Sequence, residues 1–593
     1  MLITRPELVG DFGMVASTHW LASSTGMSVL ERGGNAADAA AAAAFVLQVV
    51  EPHLNGPGGD APILLWDGRA GSVSVICGQG TAPGAATIGR FDDLGLDLIP
   101  GTGLLPAVVP GAFGAWTLLV ERWGTWPLRD ILEPAVHLAE AGHPLLAQAA
   151  GALRTVEEMF RRDWPTSAAA WLPGTRVPAA GSRVRQPGLA ATYRRVVAEA
   201  EARATDRAGQ LRAARDVWYR GFVAEAIGEF YGGAELMDSS GRPHRGLLTA
   251  QDLAGWEPAV EPATSLDYGD YTVFKTGPWG QGPVFLQQLA LLAQTDLGSM
   301  PPLSADWVHT VVEAAKLAFA DREAWYGDPR FTDVPLRDLL DPRYNAQRAG
   351  LIGSTASLDQ RPGEPGGRKP AMPSRWTTPE GTGPVGAGVG EVTIAANGET
   401  RGDTCHLDVV DGSGMMISAT PSGGWFQSSP TVAALGFCVT TRGQMFWLED
   451  GLPNSLRPGA RPRTTLSPSF ALRDGQPWLA FGTPGGDMQD QWTLNFFLNV
   501  VHGNGNLQQA IDAPEFHSEH MVSSFYPRVA DPGRLHVEER VGADVVDELR
   551  RRGHEVTVTD PWSLGRVSAV ARDGGWLKAA ANPRGAQGYA VGR

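Results

Sequence analysis

Beyond residue 357 the chain loses its hydrophobic periodicity in LDQRPGEPGGRKPAMPSRWTTPEGTGPVGAGVG, a character that lasts to about residue 402. It then enters TCHLDVVDGSGMMISA, two β-like runs around Asp411-Gly412-Ser413-Gly414. A stretch so rich in Pro and Gly has little to bury, and its composition favours a mobile tail over a buried functional loop. Whatever fold forms must therefore interrupt its core here and resume it with a strand. The Asp403–Thr404 junction in RGDTCHLDVVD, residues 401 to 411, is where that change happens.

The flanking sequence can fill a large core, with 593 residues that are 43% hydrophobic. The 49 basic and 64 acidic residues give a net charge of −15 without a dense Lys/Arg block, which disfavours nucleic acid and anionic membrane as partners. Small-molecule chemistry is the better expectation. MLITRPELVGDFGMVAST lacks the basic, apolar and small-residue regions of a secretion signal, so a cytoplasmic location is expected. AADAAAAAAFVLQVV carries Asp38, is closed by Glu51 and reads as a core helix, not a membrane span. Cys77, Cys405 and Cys438 show neither CxxC nor zinc-like spacing, so no disulfide framework, metal or cofactor is expected. His517 and His520 of FHSEH read as a packed or hydrogen-bonded pair.

Along the chain, GMVAST predicts a strand and WLASSTGMSVLERGGN a helix stopped by Gly33-Gly34. APILLWDGRAGSVSVICGQG predicts a hairpin about Asp67-Gly68, and SFALRDGQPWLAFGTPGG another about Asp474-Gly475. Between about Gly111 and Asn345 helical spacing dominates, as in GAFGAWTLLVERWG and ADWVHTVVEAAKLAFADREAWYG. Sheet and helices alternate with pairs of strands, unlike the rhythm of a Rossmann fold. The C-terminal third is the β-rich part.

Cutting the backbone between Asp403 and Thr404 would give Thr404 a free α-amine beside its hydroxyl. Such an amine has a pKa near ~7.7–8.0, so one residue would supply both nucleophile and base. In a strained turn the same hydroxyl could attack the Asp403 carbonyl, and water would open the resulting ester. An ordinary turn with a side-chain hydrogen bond is the competing reading of these residues. Cys405 is a rival nucleophile, although on a strand it would face away from Thr404 and His406. In FGTPGGDMQDQW, Gly485 and Gly486 could present backbone N–H groups to an oxyanion, or form a simple turn. Thr464, Thr465 and Ser467 of RPRTTLSPSF supply hydroxyls.

GDTCHLDVVD resembles the processing site of the γ-glutamyltransferase family, usually Thr-Thr-His followed by an apolar strand and Asp. GMVAST…VLERGGNAADAAAAAAF, AVVPGAFGAW, GLLTAQDLAGWEPAV, RPRTTLSPSF, GTPGGD and AIDAPEFH agree in the same order, so the resemblance spans nearly the whole chain. It implies an α/β, four-layer αββα sandwich of N-terminal-nucleophile hydrolase type, made as one precursor. The precursor would be cut into a large chain 1–403, with its tail at about 357–402, and a small chain 404–593, together forming one folded unit. It further implies Thr404 as nucleophile and mature N-terminus, Gly485 and Gly486 as oxyanion hole, Ser422 as assisting hydroxyl, and Thr464 and Thr465 as substrate contacts.

The departures bear on substrate. Gln79 stands where the family has the arginine that grips a γ-glutamyl α-carboxylate, and Gly424 where it has Asn. Phe446 or Trp447 replaces Asp. Gln cannot reproduce a bidentate cation, so the expected donor is an acyl amide other than a standard γ-glutamyl group. It would resemble those of cephalosporin acylases or of oxamate and oxalyl amidohydrolases, with water or an amine as acceptor. Trp425, Phe426, Phe446 and Trp447 would give the pocket an aromatic character or serve as core. Arg463 and Arg528 are expected at the solvated surface, with replacement of the lost cation as the alternative. A true γ-glutamyl hydrolase or transpeptidase, and an unprocessed scaffold, are the competing functions. Homodimer and heterotetramer both stay open.

Overall fold

Asn35 and Asp38 close a reciprocal cap on the Ala-rich helix Ala36–Val50, and every side chain of that helix is buried. Small side chains all round let neighbouring helices and a sheet approach it closely. In the computed structural model, which describes residues 3–378, 404–503 and 505–593, this helix packs between helix Trp20–Glu31 and strand Leu407–Asp411. Asp411 accepts from the Ala36 N–H at 2.8 Å, tying the end of that strand to the positive end of the helix.

The strand sits third in a seven-stranded antiparallel sheet. Its order is Tyr589–Gly592, Gly13–Ser17, Leu407–Asp411, Met416–Ala419, Ala61–Asp67, Ser72–Gly78 and Ala259–Pro262. A second antiparallel sheet runs Leu8–Gly10, Trp576–Ala581, Ser568–Asp573, Gln476–Gly482, Ser469–Arg473, Tyr271–Lys275 and Thr264–Tyr268. Met14, Leu64, Trp66 and Val410 of the first meet Phe470, Ala480 and Val570 of the second in one apolar layer. Helices 20–31, 36–50 and 112–123 cover the outer face of the first sheet, and helices 282–292 and 489–502 that of the second. This is the expected αββα sandwich. Among the described residues no helix is long and apolar enough to cross a membrane.

Both expected hairpins form, with Asp474 and Gly475 in left-handed conformations at φ 51° and 73°. The helix-dominated region from Gly111 to Asn345 also holds strands that helical spacing hides. Ala259–Pro262, Thr264–Tyr268 and Tyr271–Lys275 complete one edge of each sheet. The Pro/Gly-rich stretch is fastened as far as residue 378, since Gly363 N–H donates to buried Asp321 at 2.6 Å and Thr377 pairs with Val529. The rest of that tail lies outside the described residues.

Polar groups cross the seam between the sheets near Thr404. His406 bonds Thr420 and Asp408, each at 2.9 Å, and Asp408 accepts from Ser568 of the facing sheet at 3.2 Å. Gly482 lies flush on the imidazole, and a Cβ there would fall 2.2 Å from His406 Cε1. Gly482→Ala is therefore expected to destabilise the protein by about 1–3 kcal/mol through overpacking. Gly89→Ala, in a helix with nothing within 4 Å of the new Cβ, should be neutral or stabilising by up to ~1 kcal/mol. Equal melting temperatures for wild type and Gly482→Ala would refute this packing.

Candidate active site

Thr404 stands three residues before strand Leu407–Asp411 and pairs antiparallel with Ser422. The hydroxyls of the two residues are 3.4 Å apart and fully buried. On its other side Ser422 pairs with Asp60, through Asp60 N–H to Ser422 O at 2.6 Å and Ser422 N–H to Asp60 O at 3.0 Å. Three segments thus lie edge to edge, Thr404, Ser422 and Asp60. Glycine makes that possible, since a Cβ at Gly59 would fall 2.2 Å from Ser422 O. Asp403, expected at the processing bond, lies outside the described residues.

Alternation places threonine and thiol on opposite faces. Cys405 points into the helix-side core and its Sγ donates to Glu51 at 2.9 Å, while His406 faces the second sheet. Burial and the neighbouring Glu51 push the Cys405 thiol well above its ordinary range, which suppresses the thiolate.

Gly485 and Gly486 follow the end of strand Gln476–Gly482, whose last residue rests on His406, two positions from Thr404. Both adopt left-handed φ, 130° and 52°, and a Cβ at Gly485 would fall 2.2 Å from the Trp492 ring, so only glycine fits. They open the short turn Gly486–Met488 that leads into helix Gln489–His502, where first-turn N–H groups have no helical partner. Neither Gly485 nor Gly486 N–H donates to a described residue. Asp487 anchors the turn from below by accepting from Arg322 at 2.5 Å and from Ser524 N–H and Oγ at 2.8 and 2.6 Å.

Thr464 is fixed by its backbone, donating to Trp279 O at 2.9 Å, and its Oγ1 accepts from Leu466 N–H. The Thr465 hydroxyl is fully buried and has no partner among the described residues, and both amide atoms of buried Gln79 share that condition. Such groups are costly to leave unmade and are suited to receive a ligand. Gly424 is held at φ 70° with a would-be Cβ 2.9 Å from Cys438 O, so the missing side chain is also a packing requirement. Trp447 is taken up elsewhere, its indole N–H on Glu323 at 2.7 Å and its ring under Arg528 at 4.3 Å. Phe426 and Phe446 belong to two other cores. Trp425 donates its N–H to Leu54 O and holds its ring near Arg442.

The surface placement of Arg463 and Arg528 is corrected. Each is 1% exposed. Arg463 binds Glu323 at 2.6 Å and the Arg322 carbonyl, while Arg528 donates to the carbonyls of Ser523, Ser524, Gln444 and Phe446. With their Nη atoms so taken up, neither replaces the lost cation. Arg442, unnoticed in the sequence, is a buried cation joined to this ladder, since its Nε donates to Asp60 Oδ2 at 3.2 Å. Burial pushes the Asp60 carboxyl up against the pull of Arg442. The local sequence TTRGQ marks no function; the Gly-rich Asn55–Asp60 run, NGPGGD, was the available sign that backbones meet closely here.

His517 stacks on His536 at 4.8 Å, and His520 bonds Asp359 O, so the two histidines of FHSEH do not pair with each other. Among the described residues two groups could hold an ion, His309 with Glu313 and His554, and His517 with Glu519 and His536; neither includes a residue of this site. Cys77, Cys405 and Cys438 are free and buried. Iodoacetamide at neutral pH should accordingly label none of the three in the folded protein and all three after denaturation, read by mass spectrometry. Rapid native labelling of Cys405 would overturn its placement.

A family model described as Gamma-glutamyltranspeptidase matches residues 22–592. The chain is 30% identical to the oxamate amidohydrolase proenzyme of Klebsiella pneumoniae, over 98% of this chain and 99% of that protein. Among solved structures, LmbA2991HD is 54% identical with a TM-score of 0.92 over the whole of both chains. The cephalosporin acylase from Bacillus halodurans is 29% identical with a TM-score of 0.83, over 100% of this chain and 97% of that one. A match across the chain, on this sandwich, makes it an enzyme that belongs to the γ-glutamyltranspeptidase family of N-terminal-nucleophile amidohydrolases and transferases.

Proposed function

We propose that this enzyme cuts itself before Thr404 and then cleaves an acyl amide whose acyl group is not γ-glutamyl, through an ester on Thr404. The observation that carries the reading is the ladder Thr404–Ser422–Asp60, which holds the 404 hydroxyl beside a second hydroxyl at the edge of a rigid sheet.

In the precursor, Thr404 Oγ attacks the Asp403 carbonyl, giving up its proton, and the Thr404 nitrogen leaves as the free α-amine; water then opens the ester, which frees the Thr404 hydroxyl and the Asp403 carboxylate. In the cut enzyme that amine takes the hydroxyl proton as Oγ attacks the substrate carbonyl. The Gly485 and Gly486 N–H groups receive the oxyanion, a contribution of about 3 kcal/mol for each such donor. The amine returns the proton to the leaving nitrogen, and water or an amine then takes the acyl group. Ser422 assists by bonding the nucleophile, and Thr465 and Gln79 offer their unpartnered groups to the donor.

Against a γ-glutamyl donor stand the neutral Gln79 and the bare Gly424, which leave the amino-acid head without its charged partners. The names of the oxamate amidohydrolase and the cephalosporin acylase support an acyl group of another kind. The γ-glutamyl alternative draws on the family name and on the buried Arg442–Asp60 pair as a rearranged clamp.

A denaturing gel with N-terminal sequencing should show two chains, the smaller beginning Thr404-Cys405-His406. Thr404→Ala should leave one uncut chain and lower amide turnover at least about a thousandfold. An uncut wild type that turns over amides, or a processed Thr404→Ala, would refute the assignment. With the amine as base, kcat/KM should fall as pH drops below roughly 7.7–8.0, or lower still because burial disfavours the protonated amine. A rate that rises on acidification would exclude it.

A further inference from the structure

Arg442 is 2% exposed, and its Nη1 and Nη2 meet no acceptor among the described residues. Three other buried arginines, Arg322, Arg463 and Arg528, differ. Both Nη atoms of Arg322, Arg463 and Arg528 are bonded to carboxylates, a side-chain amide or carbonyls. Only Nε of Arg442 is taken up, on Asp60, and the Trp425 ring lies 5.4 Å from its guanidinium carbon. Asp60 and the aromatic ring thus fix the plane of a guanidinium whose two outer nitrogens stay unmade. A buried fork of this kind is shaped for a planar pair of oxygens.

Its position connects it to the chemistry. Asp60 is two ladder spacings from Thr404, roughly 10 Å between backbones, and its side chain carries Arg442. An acyl group joined to Thr404 Oγ at one end and to the Arg442 fork at the other is therefore a short dicarboxylic chain. Asp60 Oδ2 already accepts from Thr440 at 3.0 Å as well as from Arg442, which leaves its Oδ1 alone without a partner among the described residues; against an α-amine stand the bare Gly424 and Trp447, whose indole N–H is held by Glu323, at the places where the family's amine partners are expected.

Building on Thr404 as the nucleophile, we propose that Arg442 binds the free carboxylate of the acyl group, so that the substrate is the monoamide of a short dicarboxylic acid without an α-amine. Arg442 then determines specificity.

The test compares kcat/KM for glutaryl-, succinyl- and oxalyl-anilides with butyryl-anilide, an uncharged chain, and with γ-glutamyl-anilide. Wild type should favour at least one carboxylated acyl group over butyryl, and over γ-glutamyl. Arg442→Gln should lower that carboxylate-to-butyryl ratio at least about thirtyfold, as for loss of one partner of a buried charge pair. Arg442→Lys should give an intermediate ratio. Should Arg442→Gln not fold, wild type still decides, because free glutarate, succinate or oxalate should inhibit competitively at concentrations where butyrate does not. Equal treatment of charged and uncharged acyl groups by wild type, a preference for γ-glutamyl, or an unchanged ratio in Arg442→Gln overturns the proposal while leaving Thr404 intact. Absence of both processing and turnover overturns the Thr404 reading, and this one with it.

Discussion

The imidazole of His406 against the bare Cα of Gly482 is the contact on which the site depends. It sets the distance between two sheets at the point where one delivers Thr404 and the other delivers the Gly485-Gly486 turn. Around it the seam is polar. Burial pushes the Asp408 carboxyl up, while His406 and Ser568 hold it down. Breaking one partner of such a buried pair leaves an uncompensated charge, typically worth about 3–5 kcal/mol. The geometry at Thr404 is therefore held by interactions that cannot be loosened singly.

A second buried network holds the glycine turn. Arg322 reaches Asp487, Gln281 and the Val522 carbonyl, and it shares Glu323 with Arg463 and Trp447. None of these groups needs to touch substrate. On the proposed function their work is to keep two N–H groups oriented before any oxyanion forms, which is the condition for electrostatic stabilisation without reorganisation. This explains why Arg463 and Arg528 lie inside: an arginine fork can serve several carbonyls and carboxylates at once where a lysine could serve few.

The layers were legible from local signals. Asn35 with Asp38, and the Asp-Gly pairs at 67 and 474, each announce a cap or turn whose physics is short-range. YGDYTVFK also alternates around a Gly-Asp turn, yet it stands among helices and its pairing with Ser469–Arg473 is distant in sequence. The candidate site divides the same way. Thr404 and the paired glycines carry chemistry in their own residue types. Arg442 acquires meaning only through Asp60, 382 positions away, and the Arg463 and Arg528 environments likewise depend on remote partners. Net charge and local composition hold no information about such pairings.

Packing also accounts for the missing side chain at 424. A residue with a side chain at 424 would press on the Cys438 carbonyl and on Gly58, so its absence belongs to the close approach of Asn55–Asp60 to Ser422–Gly424. That approach brings Asp60 beside Ser422 and lets its carboxylate hold Arg442. The absence of a side chain at 424 and the placement of Arg442 are thus two results of one backbone arrangement. The close meeting of two glycine-rich segments, Asn55–Asp60 and Ser422–Gly424, fixes at once what can stand at 424 and where Arg442 is held.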